Sequence, residues 1–383
     1  MAYDWIDIQA LPRLETGRAV VVFGAGNGTR ELLRHFEEQQ APVKVLAALD
    51  NDPSLHGREF QGLPVMAPEK LKDLDPDLVI VTTVSGRDEV SAQLAAMGLV
   101  KDRDFVLVGR FPSGQTMDHL ALVMRSLRGH GLSARGQALQ VGPGGFLGLE
   151  CGLAALLGQE GPDRFVSVDA YNFSMRWPDV TEILDNYQQA RAAVLRMAPE
   201  FGCAPEEAAE RWDALFTARD GRTLLDARRV ELRFPHRFSA LPAEDESFAL
   251  ACSFAVLEHV RRPERAVDEL WRVLQPGGAA VLSAVTRDHR SFGAGLGFTP
   301  ISYRRHSPEE WERINANKFH QNRLAPFQWR ELFEKRGFRL AEYRVPNRYE
   351  PSERELADLH PDFRDWPMER QSEVDCSIVA VKP

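Results

Sequence analysis

Short apolar runs alternate with longer stretches whose apolar positions recur every three or four residues, and this order predicts the fold. In the N-terminal part, "AVVVFGAG" (19–26) reads as a buried strand entering a glycine turn, and "NGTRELLRHFEEQQ" as the helix that follows. "VKVLAALD" (43–50) is a second strand ending in an acid, "DLVIVTT" a third, "RDEVSAQLAAMG" a helix and "DFVLVG" (104–109) a further strand. Strands alternating with helices argue for a parallel sheet with right-handed crossovers. "FPSGQ" (111–115) breaks the pattern, so the chain divides into residues 1–113 and 114–383.

The second unit repeats the alternation. "MDHLALVMRSLRGHG" predicts an amphipathic helix, "QALQVG" (137–142) a strand, and "LAALLG" the end of the next helix. "RFVSVDA" (164–170) is another strand ending in an acid. A mostly helical stretch follows over about 172–228. An ordinary crossover needs only ~10–12 residues, so this stretch is an insertion. The pattern resumes with "RVELRF", "FALACSF" (248–254), helix "PERAVDELWRVL", strand "AAVLSAV" (279–285) and helix "QWRELFEKRGF". "RLAEYRV" and "CSIVAVK" are expected to pair antiparallel and close the sheet. The fold class expected is α/β throughout.

Composition narrows the class. A chain of 383 residues suits two domains, and 44% hydrophobic with 27% charged residues is ordinary for a globular protein with a sizeable core. A net charge of −9 argues against nucleic acid as partner. No apolar run approaches the ~20 residues of a membrane span. The acidic start "MAYDWIDIQALPRLE" lacks the features of a signal peptide. Cys151, Cys203, Cys252 and Cys376 are scattered with no CxxC pair, which fits reduced thiols and a cytoplasmic setting. That spacing offers no zinc site, and no metal is expected.

Chemistry enters with "LQVGPGGFLGLECGLAALLG" (139–158), where a strand delivers the chain into Gly142, Gly144, Gly145 and Gly148 before a helix. Bare backbone lets N–H groups and a helix N-terminus approach a ligand, and Asp169 ends the next strand, where a carboxylate accepts ribose hydroxyls. Together they predict an adenosine-type ligand across the carboxyl ends of the strands. Leu147 stands where the dinucleotide fingerprint has its third glycine, which disfavours hydride transfer.

Downstream, "LPAEDESFALACSFAVLEHVRRPERAVDELWRVLQPGGAAVLSAV" closely resembles the later motifs of class I S-adenosylmethionine-dependent methyltransferases. It is most similar to the group whose fourth strand ends in Glu-His, here Glu258-His259. In that group Leu-x-Pro-Gly-Gly precedes the fifth strand, here Leu274 to Gly278. The resemblance implies two Rossmann-like units, the C-terminal one with a seven-stranded sheet, and S-adenosylmethionine as cofactor. It further implies that Gly142, Gly144 and Gly145 line the methionine and ribose, and that Asp169 holds the ribose hydroxyls. Backbone at Ala240 and Leu241 would approach the adenine, with Ser253 and Phe254 beneath the sulfonium. Two positions depart from the family. Gln140 replaces the acid two residues before the first glycine, and "HRFSA" replaces an acid before "LP".

A sulfonium is an activated donor, so the enzyme positions a nucleophile in line, and a hydroxyl acceptor also benefits from a general base. His259 and His289 are the candidate bases, with His306 and His320 behind them. Asp288 beside His289 does not by itself make a metal site. Basic residues gather at Arg228, Arg229, Arg233, His236 and Arg237 and again at Arg287, Arg290, Arg304 and Arg305. They point to an anionic acceptor or else to a solvated face. Arg287, Arg290, Tyr303, Arg304 and His320 are the residues expected at the acceptor.

"VVVFGAGNGTRELLRHF" with the "GREFQGLPV" turn looks like the small nucleotide-binding-type domain in front of sugar acyltransferases and related surface-polysaccharide enzymes. That resemblance implies a sugar-nucleotide site at Gly24, Gly26, Asn27 and Asp50. The expected activity is O-methylation of a sugar or sugar-linked intermediate of surface glycan synthesis by a cytoplasmic enzyme. A small-molecule or glycan acceptor is its partner, and homo-oligomerisation is open. O- or N-methylation of another metabolite, and a non-catalytic S-adenosylmethionine-binding scaffold, are the alternatives.

Overall fold

In the computed structural model, residues 6–7, 11, 17–38, 40–83, 86–109, 113–171, 179–292, 297–315 and 320–383 are described. The N-terminal elements are β1 (Ile6–Asp7), β2 (Ala19–Phe23), α1 (Asn27–Glu38), β3 (Lys44–Leu49), β4 (Glu59–Phe60), β5 (Leu63–Met66), α2 (Leu71–Leu74), β6 (Leu78–Val81), α3 (Arg87–Ala96) and β7 (Phe105–Gly109). They form one sheet in the order β1-β7-β6-β2-β3-β5-β4. The pairs are parallel except β4–β5. That hairpin is what "GREFQGLPV" encodes, with Gln61 and Gly62 at φ +53° and +78° as a tight hairpin turn demands. Val20 and Val22 face one apolar layer with Leu32 and Phe36, while Val21 and Phe23 face another with Val90 and Leu94. A strand covered on both faces needs a continuous apolar run, which explains "AVVVF".

The rest of the chain runs through α4 (Ser113–Gly129), β8 (Gly136–Val141), α5 (Gly148–Leu157), β9 (Pro162–Val168), α6 (Leu184–Met197), α7 (Pro205–Asp213), β10 (Phe216–Arg219), β11 (Arg222–Leu225), β12 (Val230–Arg233) and β13 (Phe248–Phe254). It continues with α8 (Pro263–Val273), β14 (Leu274–Ala284), α9 (Pro308–Asn315), α10 (Pro326–Arg336), β15 (Arg339–Arg344), α11 (Glu353–Ala357), α12 (Pro361–Arg364), α13 (Met368–Ser372) and β16 (Cys376–Val381). Seven of these strands form a second sheet in the order β12-β9-β8-β13-β14-β16-β15. As expected, β16 is antiparallel, and it lies between β14 and β15.

The inserted stretch is not wholly helical, because β10 and β11 form an antiparallel hairpin beyond α6 and α7. Tyr187, Val194 and Trp212 of α6 and α7 share a buried cluster with Leu120 of α4 and Leu153 of α5. The insertion thus covers one face of the second sheet. Strand order reverses between β8 and β13, and ligands of such sheets settle outside the carboxyl ends at that crevice. No described helix is long and apolar enough to cross a membrane.

Candidate active site

The crevice begins where β8 ends. Gly142 has φ +73°, and a Cβ there would lie 2.3 Å from Val256 Cγ2, so only glycine lets the loop pass under the turn after β13. Gly144, at φ +65°, faces the other way, and a Cβ there would enter open space. That open space leaves room for a ligand against bare backbone. Gly145 follows it, before α5 begins. Asp169 stands beyond β9, buried, accepting from the Tyr171 amide at 2.9 Å and the Gly144 amide at 3.3 Å. Burial pushes its carboxyl up to about 6. Its backbone carbonyl accepts from His236 N at 2.8 Å, which brings the loop after β12 alongside. In that loop Ala240 is exposed, while Leu241 donates its N–H to Glu269 Oε2 at 2.8 Å.

At Gln140, where an acid is usual, the structure supplies the other half of the substitution. With its amide nitrogen turned toward Glu150, Gln140 donates to Oε1 at 2.7 Å and to Oε2 at 3.0 Å. Ser167 of β9 also donates to Glu150. The carboxylate therefore sits in the first turn of α5, where a helix N-terminus favours it. Burial raises its pKa to about 7. A lone acid within the apolar "GLECGLAALL" is the one trace of this in the sequence.

Ser253 and Phe254 end β13. The Ser253 hydroxyl donates to Val141 O at 3.0 Å and so ties β13 to β8. Phe254 stacks on His119 of α4, with ring centroids 4.2 Å apart and planes 10° from parallel. Ala255 then takes φ +54°, a strained value for a residue with a Cβ, and turns the chain sharply. The turn leads to Glu258, which is buried, and to His259, which is partly so.

His289, just beyond β14, meets them there. The His259 and His289 rings lie 5.0 Å apart, and ligand atoms of Glu258, His259 and His289 all fall within 4.8 Å of one another. His259 Nδ1 lies 2.7 Å from His320 O; a carbonyl only accepts, so Nδ1 carries the proton. Burial, with His289 nearby, drives the His259 pKa down to about 3. Burial lowers that of His289 as well, so both rings are neutral at neutral pH. Both carboxyl oxygens of Glu258 are buried with no side-chain donor, and burial, outweighing backbone N–H groups of residues 258 and 285, raises the group to about 8.

Gln321 and Asn322, which no sequence motif singles out, hold the cluster in place. Gln321 Oε1 accepts from His289 N at 3.2 Å and its Nε2 donates to Arg287 O at 2.6 Å. Asn322 Nδ2 donates to the carbonyls of Leu257 and Val260 at 2.8 and 3.0 Å.

Other expected acceptor residues have different places. Arg304 is fully buried, donating to the carbonyls of Gln371 and Glu373, and Tyr303 is buried against Trp311 and Phe363. These two hold the segment after β15 onto the domain and offer an acceptor no free face, which corrects the sequence expectation. Arg290 is buried and paired with Asp288 at 2.7 Å, and Arg287 is paired with Asp375. Arg228 and Arg233 are likewise matched by Asp226 and Glu231. His320 supplies its carbonyl to His259.

In the N-terminal unit, Asp50 Oδ2 accepts from Ala25 N and Oδ1 from Asp52 N, each at 2.9 Å. A Cβ at Gly24 would come within 3.3 Å of Thr82 and Thr83, whereas one at Gly26 would meet open space. Asn27 opens α1, and its side chain lies outside the described residues.

Residues 17–105 match the family described as C2185-like, N-terminal, and residues 220–282 match the methyltransferase domain family Methyltransf_11. No protein of curated function matches the chain. Among solved structures, a chain from the complex of the Haloferax volcanii Trm112 methyltransferase activator with a methyltransferase is 17% identical. It aligns over 71% of this chain and 94% of its own, with a TM-score of 0.36. An S-adenosylmethionine-dependent methyltransferase from Methanosarcina mazei is 18% identical over 67% of this chain and 96% of its own, with a TM-score of 0.34. The [4+2]-cyclase SpnF is 16% identical over 68% of this chain and 80% of its own, with a TM-score of 0.33. Likeness at this level carries no activity with it, as the cyclase illustrates. The match to the methyltransferase domain family falls within the C-terminal unit, and S-adenosylmethionine-dependent methyl transfer is the activity it supports.

Proposed function

We propose that the protein transfers the methyl group of S-adenosylmethionine to a hydroxyl of a small acceptor, and that this acceptor is a sugar or sugar-linked intermediate. The observation that carries hydroxyl methylation is the Glu258–His259–His289 cluster. It groups two neutral imidazoles and a buried carboxyl beside the glycine loop, joined to it through the contact of Val256 with Gly142. A hydroxyl is a poor nucleophile until its proton is removed, and neutral imidazoles are the side chains suited to that at neutral pH.

Gly144 and Asp169 would hold the ribose end of the cofactor, leaving the methyl directed at the cluster. The acceptor oxygen then forms the C–O bond while the C–S pair returns to sulfur, giving S-adenosylhomocysteine, and the proton leaves at the cluster. The sugar rests on the likeness of the N-terminal residues to those of surface-polysaccharide enzymes, with Gly24, Gly26 and Asp50 as its nucleotide-binding residues. Arg287, whose side chain is partly exposed, is the remaining candidate for an anionic group on the acceptor.

The test is methyl transfer from isotope-labelled S-adenosylmethionine to sugar nucleotides and glycan intermediates, with the product identified by mass. His289→Ala should lose turnover while keeping cofactor affinity. Labelled product from non-sugar metabolites alone would shift the reading to the alternative small-molecule acceptor.

A further inference from the structure

We propose that Glu258, His259 and His289 bind a divalent transition-metal cation, and that this cation takes the acceptor's hydroxyl oxygen as a further ligand. The three side chains come from turns after two adjacent strands, β13 and β14, and their ligand atoms already lie within 4.8 Å of one another. Three ligand atoms about 2.1 Å from one ion stand about 3.0–3.6 Å apart, so the widest pair has at most about 1.2–1.8 Å to close, within reach of side-chain rotation. Glu258 is 1% exposed, and no side chain donates to its carboxyl, which meets only backbone N–H groups of residues 258 and 285. A carboxyl buried in this way is ionised only where something positive meets it.

The imidazoles fit the same account. His259 is oriented by Nδ1–H donation to His320 O at 2.7 Å, the backbone hydrogen bond that commonly fixes the tautomer of a metal-bound histidine and leaves Nε2 as the lone-pair nitrogen. His289 Nε2 lies 3.3 Å from Val285 O, which likewise places the lone pair on Nδ1. Two nitrogens and one carboxylate suit manganese, iron, cobalt or zinc better than magnesium or calcium. Gln321 and Asn322 brace both turns and so preserve the spacing.

The site stands on these side chains alone; its part in catalysis rests on the methyl-transfer reading above. There, the cation would take the place of the imidazoles in activating the acceptor. A hydroxyl bound to it would lose its proton to solvent more readily, and the alkoxide pair would form the C–O bond as the C–S pair returns to sulfur.

The experiment uses full-length protein dialysed against EDTA and titrated by calorimetry with Co²⁺ or Mn²⁺ alone, with Mg²⁺ as comparison. Wild type should take up about one equivalent of Co²⁺ and develop visible ligand-field absorption. Glu258→Gln, His259→Ala and His289→Ala should each weaken binding by about 10-fold or more. Circular dichroism and S-adenosylmethionine titration of the same samples show that each variant is folded. Asp169→Ala should keep the cation while losing the cofactor. No uptake of Co²⁺ by wild type at about 1 mM, or unchanged uptake by Glu258→Gln, overturns the site. If S-adenosylmethionine still binds in that case, the methyltransferase reading survives. Cation uptake without cofactor binding would instead keep the metal site and overturn the methyltransferase reading.

Discussion

The chain contains two glycine loops of nearly the same design, and their surroundings separate them. Each follows a buried strand, opens a helix and lies beside an aspartate at the end of the next strand: Asp50 after β3 and Asp169 after β9. Around the first loop the neighbouring strand supplies threonines. Thr82 hydrogen-bonds Thr29 at 2.7 Å, and a Cβ at Gly28 would lie 2.3 Å from Thr82 O, so helix and sheet close on one another. Around the second, the neighbouring strand β13 leads through the strained Ala255 to Glu258 and His259. A glycine loop makes room for a ligand; what it does with that ligand depends on the adjacent strand.

The sharpest test of this contrast is the pair Asp169→Ala and Asp50→Ala. Losing the hydrogen bonds of a buried carboxylate to ribose should cost about 2–3 kcal/mol, or roughly 100-fold in S-adenosylmethionine affinity. Asp50→Ala should leave that affinity unchanged, as isothermal calorimetry would read. Equal losses in both would mean that the cofactor site has been assigned to too small a part of the molecule.

Glycine replacement tests the loops themselves. Gly142→Ala combines a left-handed backbone with a clash against Val256 and should lower stability by about 2–4 kcal/mol. Gly26→Ala, in open space, should cost less than about 1 kcal/mol. Chemical denaturation monitored by tryptophan fluorescence distinguishes the two.

Glu150 has no counterpart at the first loop and yields a pH-dependent prediction. Its folded pKa of about 7 exceeds its ordinary value of 4.5 because burial penalises the charge. Wild type therefore loses stability as pH rises from 4.5 towards 7, and carries the full penalty above that. Glu150→Gln should be more stable than wild type by on the order of 1–3 kcal/mol at alkaline pH, with the gap vanishing below the ordinary carboxyl pKa. A melting-temperature difference independent of pH would contradict this origin.

The smallest effect concerns wild type alone. Burial raises the Asp169 carboxyl to about 6, and in the proposed binding mode only its ionised form would accept both ribose hydroxyls. Affinity for S-adenosylmethionine should fall up to about tenfold per pH unit below that value and stay flat above it. Asp169→Asn should flatten the profile.

Much of the fold is legible along the chain because burial on both faces demands continuous apolar runs. "AVVVF", "QALQV" and "FALACSF" form β2, β8 and β13, and the "CSIVAVK" pairing follows. The glycine loop and Asp169 are legible for a similar local reason, since a strand-to-helix turn and its acid are close in sequence or fixed by the strand period. Gln140 is legible as a departure, but its partner Glu150 is not, because their contact depends on how α5 lies across β8 and β9.

The arginines after β14 show the opposite limit. Charge alone places Arg304 at an acceptor, whereas packing buries it under carbonyls of residues 371 and 373. Sequence by itself determined the alternation of strands and helices, the glycine turns and the types of residue available for chemistry, all matters of local period and composition. Only the tertiary structure decided which of them meet: it brings position 289 to 258 and 259, and braces them from 321 and 322. Strand order, not chain order, sets that distance, and strand order is fixed by the burial of whole faces.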